Sequence, residues 1–392
     1  EMCIRDRAEG VSWLGFTYLY TRLRKAPLLY GLDTGDVLAD PALDARRQLW
    51  VTSAARILAT HGMIRFDEVA GTLHPTSVGR IASRYYLGHE TIAIFATRLR
   101  NGIREADALD CMSRATDFAQ IPLRDSEEDE LTGLQERVPC QVPGGTATAP
   151  GKVNILLQAH ISHLFIEDFA LVSDARYVAQ NAGRVLQALF ELSLDRGFAT
   201  AASAFLNLAK SVDKCVWPFE HPLRQYPTLN ADVIHRITMY ADDLEVSQVR
   251  ALPRAALASL LRVNERVAGI VQDAAERFPA IDMTVRARPL PGDVCRLDIA
   301  LRRAFTWDER LHGATLPIVV WVENAAHHVV YSDRVALRPT PQPTGAAPKY
   351  ADIQFCVYVP CADPTEQDAR ESAYSVAWAS LLWLGADGSV TG

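Results

Sequence analysis

Three places in this 392-residue chain could do chemistry of their own. His160 and His163 lie three apart in an apolar stretch, a spacing that suits two metal ligands on one helical face. No carboxylate or cysteine is suggested beside them, so a packed or surface role fits better than a metal site. Gly145 through Gly151-Lys152 resembles a phosphate-binding loop, but one residue too many separates the glycines. Val153 also stands where a Mg²⁺-binding hydroxyl is required, and no buried strand leads in. The acidic run Asp125–Glu130 (DSEEDE) reads as a helix start with a solvated face, since carboxylates suit a helix N-terminus. Zinc-cysteine spacing, GxSxG and HExxH are missing, and Asp308 and His312 read as fixing a turn. The expectation is therefore no catalytic residue, no metal ligand and no cofactor within this chain.

Binding chemistry is better represented. Residues 175–196 predict a long helix, capped by Ser173 or Asp174 and ended by Gly197. Val178, Ala182, Val185, Leu189 and Leu192 form its apolar stripe. Gln180, Arg184, Gln187, Glu191 and Asp195 recur every three or four residues on the opposite face. The acidic Glu191 and Asp195 would repel phosphate, which leaves only the N-terminal half of this face as a credible contact strip. The same pattern also describes an ordinary half-exposed amphipathic helix. Gly183 interrupts it at a cost of ~1 kcal/mol relative to alanine, which close approach of a neighbour would justify. Arg80 and Arg84 sit one helical turn apart and can serve one interface together.

The elements that position these groups follow from periodicity. Residues 8–25 predict one helix with Trp13, Phe16, Tyr20 and Leu23 on one face. Asp40-Pro41 starts a second helix that stops at His61-Gly62, and residues 63–76 predict a hairpin turning near Gly71. That succession is a winged-helix pattern over 8–88. Residues 89–222 read as a helical bundle containing the helix of 175–196. Residues 223–281 read as a helix-loop-helix whose turn, Arg262 to Val267, lacks the usual glycine; Arg262 and Arg266 are its candidate phosphate contacts. In 282–392, seven short β-rich runs, with Trp307, Trp321 and Trp383 as core candidates and a surface loop at 339–350, predict an immunoglobulin-like, fibronectin-type sandwich. The fold class expected is multidomain α+β.

Composition excludes several classes. With 40 basic and 47 acidic side chains the chain carries a formal net charge of −7, unlike a free-standing nucleic-acid binder. Seven scattered cysteines fit reduced thiols in an intracellular compartment. No stretch reaches the ~20 apolar residues of a membrane span. Residues 1–7 (EMCIRDR) fit no pattern and read as a truncation point.

Seven motifs occur in fixed order: WLGFTYLY (13–20), VGRIASRYYL (78–87), KVNILLQAHIS (152–162), FALVSDARYVAQNAGRVLQALFEL (169–192), LNLAKSVDK (206–214), WPFEHPLRQ (217–225) and FTWDERLHG (305–313). Together they resemble the post-ATPase half of one cassette of the two-cassette, Ski-like superfamily-two RNA helicases, a winged helix followed by a Sec63 homology unit. WPFEHPLRQ is more similar to the ribosome-splitting, signal-cointegrator-complex branch than to the spliceosomal one. The resemblance implies that the helix of 175–196 is the ratchet helix touching single-stranded RNA, with Gln180 and Arg184 at positions that hydrogen-bond phosphates, sugars or bases and Gln187 departing from the family's common arginine. It also implies an ATPase core in cis that uses ATP and Mg²⁺, protein partners on the sandwich, and a cytoplasmic or nuclear location. An inactive-cassette scaffold with little RNA contact is the alternative. A membrane-tethered translocation protein shares the homology unit, but it needs spans this sequence lacks.

Overall fold

The structure is a computed structural model that describes residues 4–291, 294–339, 353–360 and 374–391. The chain divides into two compact units, Glu1–Arg98 with Ala115–Asp117, and Leu99–Arg114 with Phe118–Gly392.

The first unit holds α1 (Arg7–Gly15), α2 (Tyr18–Lys25), α3 (Thr34–Ala39), α4 (Asp44–Thr60), β1 (Ile64–Asp67), β2 (Thr72–Pro75), α5 (Ser77–Arg84) and α6 (His89–Arg98). The single helix expected over 8–25 is two. The Thr17 hydroxyl caps α2 by accepting from the Tyr20 N–H, which ends the first helix. Trp13 and Phe16 consequently point to solvent, while Leu23 is fully buried against Leu32 and Leu43. The helix expected from Asp40 begins at Asp44 instead, because Asp40 folds its carboxylate back onto the Ala45 N–H at 2.8 Å. Antiparallel β1 and β2 turn through Gly71, whose φ is +71°. Residues 5–7 are not idle: Arg5 O accepts from Leu73 N, and Arg7 N donates to Gly71 O, both at 2.8 Å. Gly79 lets α5 approach the strand entry, since a Cβ there would sit 1.9 Å from Met63 O.

The second unit begins with α7 (Glu105–Ser113), α8 (Glu128–Gln135), α9 (Ala149–Ile161), α10 (Phe169–Asp195) and α11 (Ala199–Lys214). It continues with α12 (Ala231–Tyr240), α13 (Val246–Ala251), α14 (Arg254–Leu261) and α15 (Glu265–Arg277). The β-rich part holds β3 (Ile281–Leu290), β4 (Val294–Arg303), α16 (Glu309–His312), β5 (Leu316–Glu323), β6 (Val329–Leu337), β7 (Ile353–Pro360), β8 (Ser375–Ser380) and β9 (Asp387–Thr391). The strands form two antiparallel sheets, β3-β4-β7 and β6-β5-β8-β9. The seven β-rich runs read from the sequence correspond to β3 to β8, because residues 329–337 form the single strand β6, and β9 lies beyond them. Its sequence, DGSVT, has one β-branched pair and a glycine where a strand pattern needs alternation.

One continuous core runs from Leu223 through Leu257, Val271, Leu297 and Val320 to Ala386, so residues 223–281 and the two sheets share their apolar interior. Trp321, Trp378 and Trp383 are buried within the β-rich part, and Trp307 is half-buried. The loop expected at 339–350 lies outside the described residues from 340 onward, as do residues 1–3.

Candidate nucleic-acid interface

Helix α10 starts six residues earlier than the sequence suggested. Asp168 is its cap, accepting from Leu171 N at 2.9 Å. Ser173 is exposed inside the helix, and Asp174 is diverted to a different task. Val178, Ala182, Val185, Leu189 and Leu192 are all buried against α9 and α11. On the opposite face Gln180 and Gln187 are exposed and Arg184 is half-buried, its Nη2 donating to Asn181 Oδ1 at 3.2 Å. Glu191 forms an ion pair with Arg334 of β6. The helix thus carries a polar stripe whose C-terminal half is already committed within the fold. Arg176, four residues before Gln180, is exposed and extends that stripe backwards, as its spacing could have revealed. With His160, His163, Phe165 and Gln180 it lines a groove at the start of α10.

Gly183 is not forced by packing. A Cβ there would meet only Asp213 Oδ1, at an ordinary 3.7 Å.

Arg80 and Arg84 lie exposed on α5, in the first unit, and α10 in the second. Arg84, like Arg47 and Arg56 of the same unit, already has a partner within the fold. Arg47 donates to Val11 O at 2.8 Å and pairs with Asp44, and Arg56 pairs with Glu68. In the helix-loop-helix turn Arg262 takes the left-handed conformation a glycine would usually supply, φ +54°, and lies 4.6 Å over the Tyr240 ring. Arg266 is exposed.

The groups that suggested chemistry turn out to hold the bundle together. Lys152 is fully buried, with Nζ 2.5 Å from Glu127 Oε2, 2.8 Å from Asp174 Oδ2 and 2.8 Å from Pro122 O. Arg124 Nη1 pairs with the same two carboxylates. The acidic run is therefore not wholly solvated: Glu127 is 1% exposed. Its buried carboxylate is stable because two cations face it. Gly151 passes so close to Gly145 that a Cβ would lie 1.9 Å from the Gly145 carbonyl oxygen. The phosphate-loop look-alike is a tight backbone crossing with its lysine turned inward.

The rest of that motif behaves alike. Gln158 accepts from Cys140 N and donates to Cys140 O, clamping the loop that precedes α9. Ser162 accepts from the Trp217 indole at 2.9 Å. Contrary to expectation, a cysteine does neighbour His160, with Cys215 Sγ 3.5 Å from Nε2. The pair is poorly suited to nucleophilic work. His160 Nε2 also lies 3.3 Å from Val212 O, where only an N–H can donate. Burial, with Asp213 nearby, pushes the Cys215 thiol pKa up, away from the reactive thiolate. Among the described residues no group of three or more His, Cys, Asp and Glu could hold a metal ion. Asp308 caps α16, and His312 Nδ1 accepts from Asp308 N while Nε2 reaches Arg277 O at 2.9 Å. Burial lowers the His312 pKa, so the ring serves as a neutral hydrogen-bonding brace.

What the residues define is a mixed α+β framework whose motif side chains tie helices, loops and sheets to one another. The chain belongs to the Sec63 Brl domain family, whose profile matches residues 75–391. It is 32% identical over 327 residues to the U5 small nuclear ribonucleoprotein 200 kDa helicase of Homo sapiens, covering 83% of this chain and 15% of that protein. It is 32% identical over 387 residues to activating signal cointegrator 1 complex subunit 3 of Dictyostelium discoideum, covering 97% and 17%. It is 37% identical over 318 residues to the RQC trigger complex helicase SLH1 of Saccharomyces cerevisiae, covering 81% and 16%. The chain therefore spans between 15% and 17% of the length of these curated relatives. Among the described residues no helix is long and apolar enough to cross a membrane.

Proposed function

We propose that this chain is the non-catalytic, post-ATPase portion of one RNA-helicase cassette, closing the nucleic-acid channel and supplying its ratchet helix. In this reading residues 8–88 form a winged helix, 89–222 the bundle with the ratchet, 223–281 a helix-loop-helix, and 282–392 an immunoglobulin-like sandwich that docks proteins. Gln180, Arg184 and Gln187 contact single-stranded RNA, and Arg80 and Arg84 face the channel or its ATPase lobe. ATP and Mg²⁺ act in the core carried in cis, and the site of action is cytoplasmic or nuclear. The branch is that of the ribosome-associated relatives.

The observation that carries this reading is α10: a 27-residue helix buried on one side, whose other face presents Arg176, Gln180, Arg184 and Gln187 before it turns acidic at Glu191 and Asp195. A second supports the missing core. The first unit leaves large apolar side chains in water, with Phe16 87%, Tyr18 76%, Leu29 77%, Leu38 78% and Tyr86 86% exposed. Soluble surfaces rarely leave so much apolar area uncovered unless another body packs on it.

The purified chain is expected to hydrolyse no ATP, with or without RNA; RNA-dependent turnover would overturn the reading. Replacing Gln180, Arg184 and Gln187 with alanine should weaken binding of single-stranded RNA by about tenfold and flatten its salt dependence slightly. The scaffold alternative draws support from the acidic balance and from Glu191 and Asp195 on the same stripe. It gains if RNA binding is absent from the parent chain at low salt.

A further inference from the structure

We propose that a groove between the α12–α13 corner and the edges of both sheets docks an extended, basic segment of a partner protein. The inference is independent of the RNA reading and concerns a different face of the second unit. The groove is bounded by Phe219, Asp242, Asp243, Phe278, Ile281 and Asp387. Phe278 and Ile281 give its lining an apolar side, and Phe219, which is 63% exposed, is stacked on Trp217 at 5.5 Å and 9°.

The charge on this groove is one-sided. Its only lining arginine, Arg250, spends its guanidinium on the carbonyls of Ala275, Ala304 and Phe278, at 3.0, 2.8 and 3.1 Å. Glu220 is held by Arg224 and the Trp217 N–H, and Glu245 serves the capping box of α13. Asp242, Asp243 and Asp387 are exposed, and none has an ion pair among the described residues. The buried Lys210 spends its Nζ on Trp383 O at 3.2 Å, not on Asp387.

These features select the occupant. An anionic rim disfavours RNA, whose phosphates it would repel. A metal ion is disfavoured because the carboxylates do not converge into a ligand set. Apolar lining from Phe278 and Ile281, the exposed Phe219 ring and three open carboxylates complement a chain that alternates Lys or Arg with apolar side chains. Ile281 at the start of β3 and Asp387 and Gly388 at the start of β9 border the same groove, so an extended segment would run along the ends of two strands.

The test is fluorescence anisotropy on the full chain with a labelled short peptide alternating Arg and Lys with Leu and Val. A charge-inverted peptide bearing Glu and a single-stranded RNA are run beside it. The basic peptide should bind, and the Asp242→Asn, Asp243→Asn, Asp387→Asn triple variant should weaken it by about tenfold. Phe219→Ala should weaken it at unchanged salt dependence. A control removing as much charge elsewhere, Asp125→Asn with Glu128→Gln and Asp129→Asn, should leave it unchanged, because those residues lie in the exposed part of the acidic run. Equal loss in both triple variants would mean diffuse attraction to an acidic protein and would overturn the proposal. Absence of peptide binding, preference for RNA, or self-association abolished by the groove variant would also overturn it.

Discussion

Two lysines of the helical bundle are buried to the same degree and solved in opposite ways. Lys152, 0% exposed on α9, meets two carboxylates and a carbonyl. Lys210, 2% exposed on α11, meets a single backbone carbonyl, that of Trp383. Burial without a carboxylate partner lowers the Lys210 pKa from 10.5 to about 8, against the charge of Asp387, which acts the other way. The first lysine locks α8, α9 and α10 together as a balanced ion cluster. The second joins α11 to the turn after β8 while carrying a charge its surroundings do not match. A buried ion pair is fragile when halved, whereas a buried lone charge is a standing cost.

The two should respond to the same substitution with opposite signs. Lys152→Met leaves Glu127 buried without its main cation and should destabilise the chain by ~3–5 kcal/mol in urea unfolding. Adding Glu127→Gln should recover part of that loss, and strict additivity of the two would show that they do not interact. Lys210→Met removes a desolvation penalty of ~3 kcal/mol at neutral pH, two and a half pKa units at 1.36 kcal/mol each. It also leaves the Trp383 carbonyl unbonded, a loss of ~1 kcal/mol, so a net gain of ~2 kcal/mol is expected. A loss instead would mean that the lysine stabilises this joint.

The pH dependence sharpens the contrast. The folded pKa of Lys210 lies below the unfolded one, so between them the unfolded chain binds more protons and stability rises with pH. The penalty is full below pH ~8 and fades as pH approaches ~10.5. The advantage of Lys210→Met over the parent should therefore shrink across that window. An advantage constant with pH would assign the effect to packing.

Both lysines stand inside motifs visible in the sequence, KVNILLQAHIS and LNLAKSVDK, yet neither role was legible there. Periodicity marks which face of a helix is buried, and it placed the stripe of α10 correctly. It cannot say that Asp174, read as a helix cap, lies mid-helix and faces a lysine 22 residues earlier. Nor does it show that Glu127, one carboxylate in a run of acids, is turned inward. Turn chemistry was readable at Gly62, Gly71 and the Arg262–Val267 turn because those residues act locally. The boundary between Phe16 and Tyr18 was missed because a single hydroxyl, Thr17, outweighs an apolar pattern that otherwise continues. The stripe of Gln180, Arg184 and Gln187 was legible as a surface; what it touches is not encoded in its spacing.

Gly183 gives the smallest effect and separates the structural from the functional reading of α10. If tight packing required it, Gly183→Ala would destabilise the helix. The nearest atom to a new Cβ is instead a carboxylate oxygen at 3.7 Å, so the fold has room. Alanine should then add up to ~1 kcal/mol of stability through helix propensity alone. The informative measurement is the pair of readouts. Stability that rises while single-stranded RNA binding falls would mean the glycine keeps a clear approach beside Arg184 for something outside this chain. Stability that rises with RNA binding unchanged would remove Gly183 from the interface and leave Gln180, Arg184 and Gln187 to account for contact. Greater weight would then pass to the N-terminal half of the stripe, where Arg176 and Gln180 line the groove at the start of the helix.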